Sequence, residues 1–175
     1  MGRTDRTATA VFDAGPIIHL DELECLDLLS DFQKNLLSDT VWREVETHRP
    51  TALTKTHFNF VHLKEPNHLP DKKLSTICRL FSLDAGETEA LSVMAKNPNA
   101  IFFTDDAAAR FVAEQMGYKA HGTIGILIRS IRRGQRKPED VFRTLSELPL
   151  KSSLYIKRSL LEEVKDRIRV EFSLI

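Results

Sequence analysis

The sequence predicts an α/β fold in which helices cover a mostly parallel sheet. Short apolar runs typical of buried strands alternate with segments whose apolar residues recur at helical spacing, and this alternation favours parallel strands joined by helical crossovers. With 175 residues, 42% hydrophobic and 29% charged, the composition fits one ordinary globular domain. No apolar run approaches the roughly 20 residues that span a bilayer. The first residues lack a signal-peptide pattern, so we expect a cytoplasmic protein.

Each predicted strand is a short apolar run that ends at turn-forming residues. The run ATAVF, for example, is followed by Asp13, Gly15 and Pro16. The polar stretch 49–70, which contains three prolines, is expected to be a loop with a possible strand inside it. The predicted strands are 8–12, 35–37, 100–104 and 119–121, and the possible one is 58–63.

Helices are predicted where apolar residues recur every three or four positions. The predicted helix 123–133 ends just before Gly134 and Pro138, because glycine and proline are typical just beyond a helix end. The predicted helices are a segment carrying apolar residues from 17 to 26, one beginning near Thr40, 74–81, one carrying Ala90 to Met94, 106–116, 123–133, 141–148 and 153–169.

Acidic residues follow two of the predicted strands at the point where each strand ends. Asp13 follows the first strand, and Asp105 and Asp106 follow the strand AIFFT. In an open parallel sheet, the crevice lies outside the carboxyl ends of the strands. If these two strands are neighbours, their acids converge on one crevice. Glu44 and Glu87 lie on predicted helices from which they could reach it, although the sequence alone does not place them there.

A cluster of carboxylates suggests a metal site. Carboxylates that share a crevice repel one another, which raises their pKa values and costs stability. A divalent cation relieves that repulsion, and hard oxygen ligands suit Mg²⁺ or Mn²⁺. Such an ion can activate water for attack on a phosphodiester. The pattern therefore suggests metal-dependent phosphodiester hydrolysis.

Each acid also has an ordinary structural interpretation. Asp84 and Glu87 have the spacing of a capping box at a helix N-terminus. Residues 104–106 could supply the N-cap of the next helix. Asp13 could bond within the turn that follows it, and Glu44 could be a solvated helix residue. These alternatives stay open at the level of sequence.

Several segments, taken together and in order, resemble the PIN-domain family, and within it the prokaryotic branch related to VapC-type toxin ribonucleases of toxin–antitoxin systems. The segments are VFDAGPIIHL (11–20), VWREV (41–45), LDAGETEAL (83–91), FFTDDAAARFVAEQMG (102–117) and HGTIGILI (121–128). The resemblance implies a three-layer α/β/α fold and an endoribonuclease that depends on Mg²⁺ or Mn²⁺. It also implies an RNA substrate and a possible antitoxin partner.

The resemblance assigns site residues position by position. The matched positions are Asp13, Glu44, Glu87, Thr104, and Asp105 or Asp106. Asp13 and one of the two adjacent aspartates would ligate the main ion, while Glu87 and Glu44 would complete the site directly, through water, or by binding a second ion. The family's spacing from Thr104 favours Asp106, whereas the branch resembled here favours Asp105, so both are retained. The Gly122-Thr123 pair matches a recurrent turn with a structural role.

The resemblance also sets domain boundaries. We expect residues 1–7 to be disordered, 8–135 to form the PIN-like domain, and 136–175 to form a helical extension packed on that domain or on a partner. The amphipathic pattern of the helix 153–169 indicates docking on its own domain. A dimer seam or an antitoxin-binding surface is the alternative, and we expect a homodimer.

Positive charge is concentrated near the C-terminal end. Residues 125–175 carry 12 Lys and Arg against 7 Asp and Glu, whereas residues 1–124 carry 13 against 18. One run of nine residues contains no acid and holds Arg129, Arg132, Arg133, Arg136 and Lys137. This run could bind RNA, or it could be an exposed helix end whose cations interact favourably with the helix dipole. Arg110 could likewise contact phosphate or pair with a neighbouring acid.

Cysteine and histidine spacing argues against a disulfide framework and a zinc site. Cys25 and Cys78 lack a nearby partner and are expected to be buried apolar residues in a reducing compartment. The spacings among His57, His62 and His68 fit no helical zinc pair.

Three hypotheses follow. The leading one is a metal-dependent ribonuclease, the toxin half of a toxin–antitoxin pair. The second is a PIN-type nuclease that processes RNA or cuts DNA flaps. The third is a non-catalytic PIN module that binds nucleic acid or protein.

Overall fold

The computed structural model describes residues 8–54, 58–65 and 72–174, and its centre is a five-stranded parallel sheet. The strand order is β3-β2-β1-β4-β5. The strands are β1 (Thr9–Phe12), β2 (Lys34–Ser38), β3 (Phe60–Leu63), β4 (Ile101–Phe103) and β5 (Lys119–His121). Because β1 pairs with β4 in a register that sets Phe12 opposite Phe103, the residues that follow these two strands emerge side by side.

Helices cover the sheet, which confirms the predicted α/β class. A short 3-10 helix, Leu26–Asp31, precedes β2. The α-helices are α1 (Ala14–Glu22), α2 (Asp39–His48), α3 (Pro50–Leu53), α4 (Lys72–Leu80), α5 (Ala85–Lys96), α6 (Ala107–Gln115), α7 (Thr123–Arg132), α8 (Pro138–Lys151) and α9 (Arg158–Glu171).

The two central strands are fixed by a cluster of three phenylalanines. Phe12 stacks on Phe103 with ring centroids 5.0 Å apart, and Phe32 meets both rings edge-on. All three side chains are at most 1% exposed. Burying such a side chain contributes about 1.5–3 kcal/mol. The cluster therefore holds the carboxyl ends of β1 and β4 together, directly before the acids that follow them.

Three predicted boundaries were wrong, each for a local reason. The helix predicted to run to residue 26 ends at Glu22, because Glu24 adopts a positive φ of 56° that an α-helix does not accommodate. The stretch predicted as a loop begins with α3, for which Pro50 at the first turn has a suitable fixed φ and no N–H to satisfy. Its predicted strand is present as β3.

The third wrong boundary concerns the last helix, which begins at Arg158 rather than at 153. The preceding residues are extended because Glu22 holds them in place. Its carboxylate accepts hydrogen bonds from Ser152 Oγ at 2.8 Å and from Ser153 N at 2.7 Å. These bonds fix the connection between α8 and α9 against the end of α1.

The C-terminal helices pack on the domain. α8 buries Val141, Leu145 and Leu148, and α9 buries Leu161 and Ile168. The predicted disorder of residues 1–7 concerns a segment outside the described residues. In the part of the chain that the structure describes, no helix combines the length and apolar character that crossing a membrane requires.

Both cysteines are free and buried, as predicted. His62 lies on β3, stacks on Trp42 with centroids 4.3 Å apart, and bonds to Asp39. His57 and His68 lie outside the described residues.

Candidate active site

Asp13 begins the site at the end of β1. It is the N-cap of α1, and its Oδ1 accepts a hydrogen bond from Ala14 N at 2.8 Å. Its backbone N–H donates to Phe103 O at 2.9 Å, which joins it to the neighbouring strand. Its Oδ2 accepts a bond from Thr104 Oγ1 at 3.0 Å. Asp13 is thus oriented from both central strands.

Thr104 links the two strand ends. Its side chain is completely buried. Its hydroxyl donates to Asp13 and accepts from Asp106 N at 3.1 Å. Asp106 is in turn the N-cap of α6, because its Oδ1 accepts from Ala109 N at 2.8 Å. One hydroxyl therefore sets the relative positions of Asp13 and Asp106.

Asp84 and Glu87 form the capping box of α5, as their spacing indicated. Glu87 N donates to Asp84 Oδ1 at 2.8 Å, and Asp84 N donates to Glu87 Oε2 at 2.9 Å. Burial raises the pKa of Glu87 to about 7 despite that hydrogen bond, and the charges of Asp84, Asp106 and Asp13 raise it further. The capping residues therefore also face the acids at the strand ends.

Glu44 approaches the same place from α2. Gly86, in the first turn of α5, lies beside two of these acids: a Cβ there would be in ordinary contact with both, 3.4 Å from Asp84 Oδ1 and 3.5 Å from Glu44 Oε2. Partial burial and the charge of Asp84 raise the pKa of Glu44. Glu44 is exposed and lies at the margin of the group.

Five acids therefore lie within electrostatic reach of one another around the carboxyl ends of β1 and β4. Burial raises the pKa of Asp13 to about 6, and the charges of Asp84 and Glu44 add to the effect. We call this group the acidic crevice; its members are Asp13, Glu44, Asp84, Glu87 and Asp106. Asp84 was missed as a site residue, because its spacing to Glu87 was explained by capping alone. A cap uses only part of a carboxylate, so the two roles are compatible.

Asp105 is not a member of the acidic crevice, although it was predicted as a possible ligand. Its Oδ2 lies 2.7 Å from His19 Nδ1 and accepts from Thr123 Oγ1 at 2.6 Å, and its Oδ1 accepts from Thr123 N at 2.7 Å. These bonds outweigh the effect of burial and lower the pKa of Asp105. A Cβ at position 122 would lie 2.6 Å from Asp105 Oδ1, so the Gly122-Thr123 turn requires glycine. Asp105 ties α1 and β4 to the start of α7.

The predicted RNA-binding arginines of α7 and of the residues just after it are paired with carboxylates. Arg129 and Arg133 both reach Asp31, at 2.7 and 2.9 Å. Arg136 pairs with Asp27 at 2.6 Å and Arg132 with Glu171 at 3.2 Å. These pairs fasten α7 to the 3-10 helix and to α9, so they favour the structural interpretation of the basic run.

Arg110 differs from those arginines. Its guanidinium Nη1 lies 3.5 Å from the position that a Cβ of Gly122 would occupy. Among the described residues, no carboxylate forms an ion pair with it. Arg110 is on α6, one turn beyond Asp106, and its charge is available beside the acidic crevice.

The donor set of the crevice suits a hard divalent cation. Within the described ranges, no three acidic, histidine or cysteine side chains are already arranged to hold an ion. The carboxylates of Asp13, Asp106 and Glu87 are bonded instead to backbone N–H groups and to Thr104. All candidate donors are nonetheless carboxylate oxygens that repel one another, and such oxygens are the ligands that Mg²⁺ and Mn²⁺ prefer. The chemistry of these residues therefore fits a divalent metal ion.

The fold and the crevice together define a class: a parallel α/β domain with acids at the carboxyl ends of its two central strands. A family model described as a PIN domain matches residues 9–169, and the chain belongs to the PIN-domain family. PIN domains are generally nucleases and act on nucleic acid. Neither the curated proteins nor the solved structures contained a match. The relationship to VapC-type toxins stays a prediction.

Proposed function

We propose that this chain is an endoribonuclease that depends on Mg²⁺ or Mn²⁺ and hydrolyses RNA phosphodiester bonds in the cytoplasm. The observation that carries the proposal is the acidic crevice at the adjacent carboxyl ends of β1 and β4. An open parallel sheet binds ligands at this edge, and the PIN family supplies the nuclease class.

Asp13 and Asp106 are the proposed principal ligands. Thr104 holds both at the ends of their strands, and Glu87 adjoins them from α5. Asp84 and Glu44 complete the set from the margin. When bound, the ion supplies an activated water and neutralises charge that develops on the phosphate.

Asp105 is proposed as a positioning residue. Between them, its two oxygens already contact His19 and Thr123. Using it as a ligand would break bonds that join α1, β4 and α7. Of the two aspartates that the sequence left open, we therefore choose Asp106.

A role as the toxin of a toxin–antitoxin pair, acting as a homodimer, is proposed on the sequence resemblance alone. It predicts that expression of the chain arrests growth and that a small protein encoded beside it relieves the arrest. Growth arrest by an Asp13→Asn variant as strong as that by the parent would contradict a nuclease toxin.

The nuclease proposal is tested with purified protein and labelled RNA. We expect cleavage of single-stranded or structured RNA with Mg²⁺ or Mn²⁺, no cleavage in EDTA, and loss of cleavage in Asp13→Asn. Asp166→Asn is a matched control, because Asp166 is an exposed aspartate on α9 that pairs with Arg169. A DNA flap run in parallel tests the alternative of a flap nuclease.

The remaining alternative is a non-catalytic binding module that keeps the PIN fold and binds nucleic acid or protein. Calorimetry distinguishes the two. Absence of Mn²⁺ binding at millimolar concentration, together with RNA binding that does not depend on metal, would establish the module and refute the nuclease.

A further inference from the structure

A cavity lies among α6, β5, α7 and the chain from Leu154 into α9. It has a volume of about 420 Å³, within the range typical of small-ligand pockets. Asp105, the direct neighbour of Asp106, contributes to its lining. A ligand that fills the cavity would thus extend towards the crevice.

The two walls of the cavity differ in chemistry. One wall is apolar and comes mainly from the connection between α8 and α9 and from α9 itself, with Leu154, Ile156, Leu160 and Val164. The opposite wall is polar, with Arg110 and Glu114 on α6 and His121 at the end of β5. Burial, followed by the charges of Arg110 and Arg129, lowers the pKa of His121, which favours the neutral imidazole. An apolar wall that faces a polar wall suits a ligand with a flat ring and polar edges.

Tyr155 stands at the rim of the cavity. Its side chain is 85% exposed, which is unusual for an aromatic residue whose backbone segment is firmly held. The hydrogen bonds from Ser152 and Ser153 to Glu22 fix that segment as extended chain. They also hold the pKa of Glu22 below its ordinary value against the opposing effect of burial. The hydrogen-bonded backbone therefore holds the ring of Tyr155 in a solvent-exposed position.

Arg110 supplies positive charge between the cavity and the crevice. It has no ion-pair partner among the described residues, and its Nη1 lies 3.5 Å from the position that a Cβ of Gly122 would occupy. An arginine placed in this way can contact a phosphate oxygen at no cost to an existing pair.

We propose that this cavity binds one unpaired nucleotide of a single-stranded RNA segment whose neighbouring phosphate enters the acidic crevice. The base lies against the apolar wall and stacks on Tyr155, Glu114 and His121 face its polar edge, and Arg110 contacts the phosphate. Recognition of RNA through splayed bases that stack on aromatic side chains requires unpaired nucleotides. The inference deepens the proposed nuclease function and rests on it.

The test is binding of a fluorescein-labelled, unstructured 12-nucleotide RNA, measured by anisotropy in EDTA, with a duplex of the same sequence in parallel. Tyr155→Ala should weaken binding of the single strand at least about fivefold, since base stacking contributes about 1–3 kcal/mol. Tyr155→Phe should stay within about twofold of the parent. Arg110→Gln should weaken binding and lower the salt dependence by about 0.7 in log–log slope, the value for one phosphate contact in single strands.

Two exposed residues that do not line the cavity serve as matched controls. Leu150→Ala removes a side chain that is 90% exposed on α8, and Arg167→Gln removes an exposed arginine on α9 that pairs with Glu163. Both should bind like the parent, and duplex binding should not respond to Tyr155→Ala.

Unchanged single-strand binding in both Tyr155→Ala and Arg110→Gln would overturn the proposal. The apolar wall would then be interpreted as a surface that binds a protein segment. An equal loss for the duplex would overturn it as well. Cleavage with metal is scored separately, so the two proposals fail distinguishably. A parent that cuts RNA without dependence on Tyr155 refutes only the pocket, and a parent whose binding depends on Tyr155 but which never cuts refutes only the nuclease.

Discussion

Replacing Asp13 by asparagine should make the metal-free protein more stable at alkaline pH while removing its activity. The pKa of Asp13 rises from 3.8 to about 6 on folding, which corresponds to about 3 kcal/mol at 1.36 kcal/mol per pKa unit. Because the folded state holds the proton more tightly than the unfolded state, this contribution is fully present below pH 4. It is lost as the pH rises through 6. At pH 8, the charged carboxylate opposes folding by that amount.

Asparagine keeps the position but not the charge. Its Oδ1 can still accept from Ala14 N, as Asp13 does, and asparagine is a good N-cap. The Thr104 hydroxyl, which now donates to Asp13 Oδ2, loses that acceptor at a cost of about 1 kcal/mol. The net gain at pH 8 is therefore about 2 kcal/mol, or about 4–8 °C in Tm for a chain of this size.

The assay is urea unfolding followed by circular dichroism in EDTA, at pH 8 and at pH 4. We expect Asp13→Asn to exceed the parent at pH 8 and to lose that advantage at pH 4. The exposed control Asp166→Asn should stay within about 0.5 kcal/mol of the parent at both values. If the advantage of Asp13→Asn is equal at the two pH values, or absent at pH 8, burial and repulsion at Asp13 are not what the structure indicates. Added Mg²⁺ should stabilise the parent and not the variant.

Four further predictions concern Asp106 in the crevice and three acids that hold neighbouring elements together. Asp106→Asn should abolish cleavage with less than about 1 kcal/mol of destabilisation, since asparagine also caps helices. Asp105→Ala should lower the free energy of unfolding by about 3 kcal/mol in urea, because the groups that now bond to Asp105 lose their acceptor. Asp31→Ala should lower the free energy of unfolding by about 1–3 kcal/mol by the same measurement, because it removes the nearly buried carboxylate that pairs with Arg129 and Arg133. Glu22→Ala should speed proteolysis between α8 and α9 in limited digestion, since it releases Ser152 and Ser153; an unchanged digestion rate would refute that role.

The strands and most helices were predictable because their signals are local. Apolar runs and turn residues located the β1 and β4 ends, and the order of the acids along the chain matched a known family. The acids converge only if β1 and β4 are neighbours, and the sequence could not establish this, since no local pattern reveals which parallel strands pair. The structure meets the condition by placing Phe12 opposite Phe103.

Local sequence patterns do not reveal the direction in which a side chain points. Asp105 and Asp106 are adjacent and chemically identical, yet one bonds to His19 and Thr123, distant in sequence, while the other caps α6. The arginines of the basic run looked free for the same reason. Arg129 and Arg133 pair with Asp31, and Arg136 pairs with Asp27, both about a hundred residues earlier in the chain. Arg132 pairs with Glu171 on α9.

Helix capping and the proposed metal binding, which the sequence presents as alternatives, are compatible in this fold. The N-caps of α1, α5 and α6 are Asp13, Asp84 and Asp106, so three helix N-termini point towards one crevice. Each N-terminus carries about half a positive charge and stabilises a carboxylate beside it. The helices thereby offset part of the repulsion among the acids while no ion is bound. The same three N-termini also favour a phosphate group, so the arrangement that lets the acids cluster also draws an anionic substrate towards them.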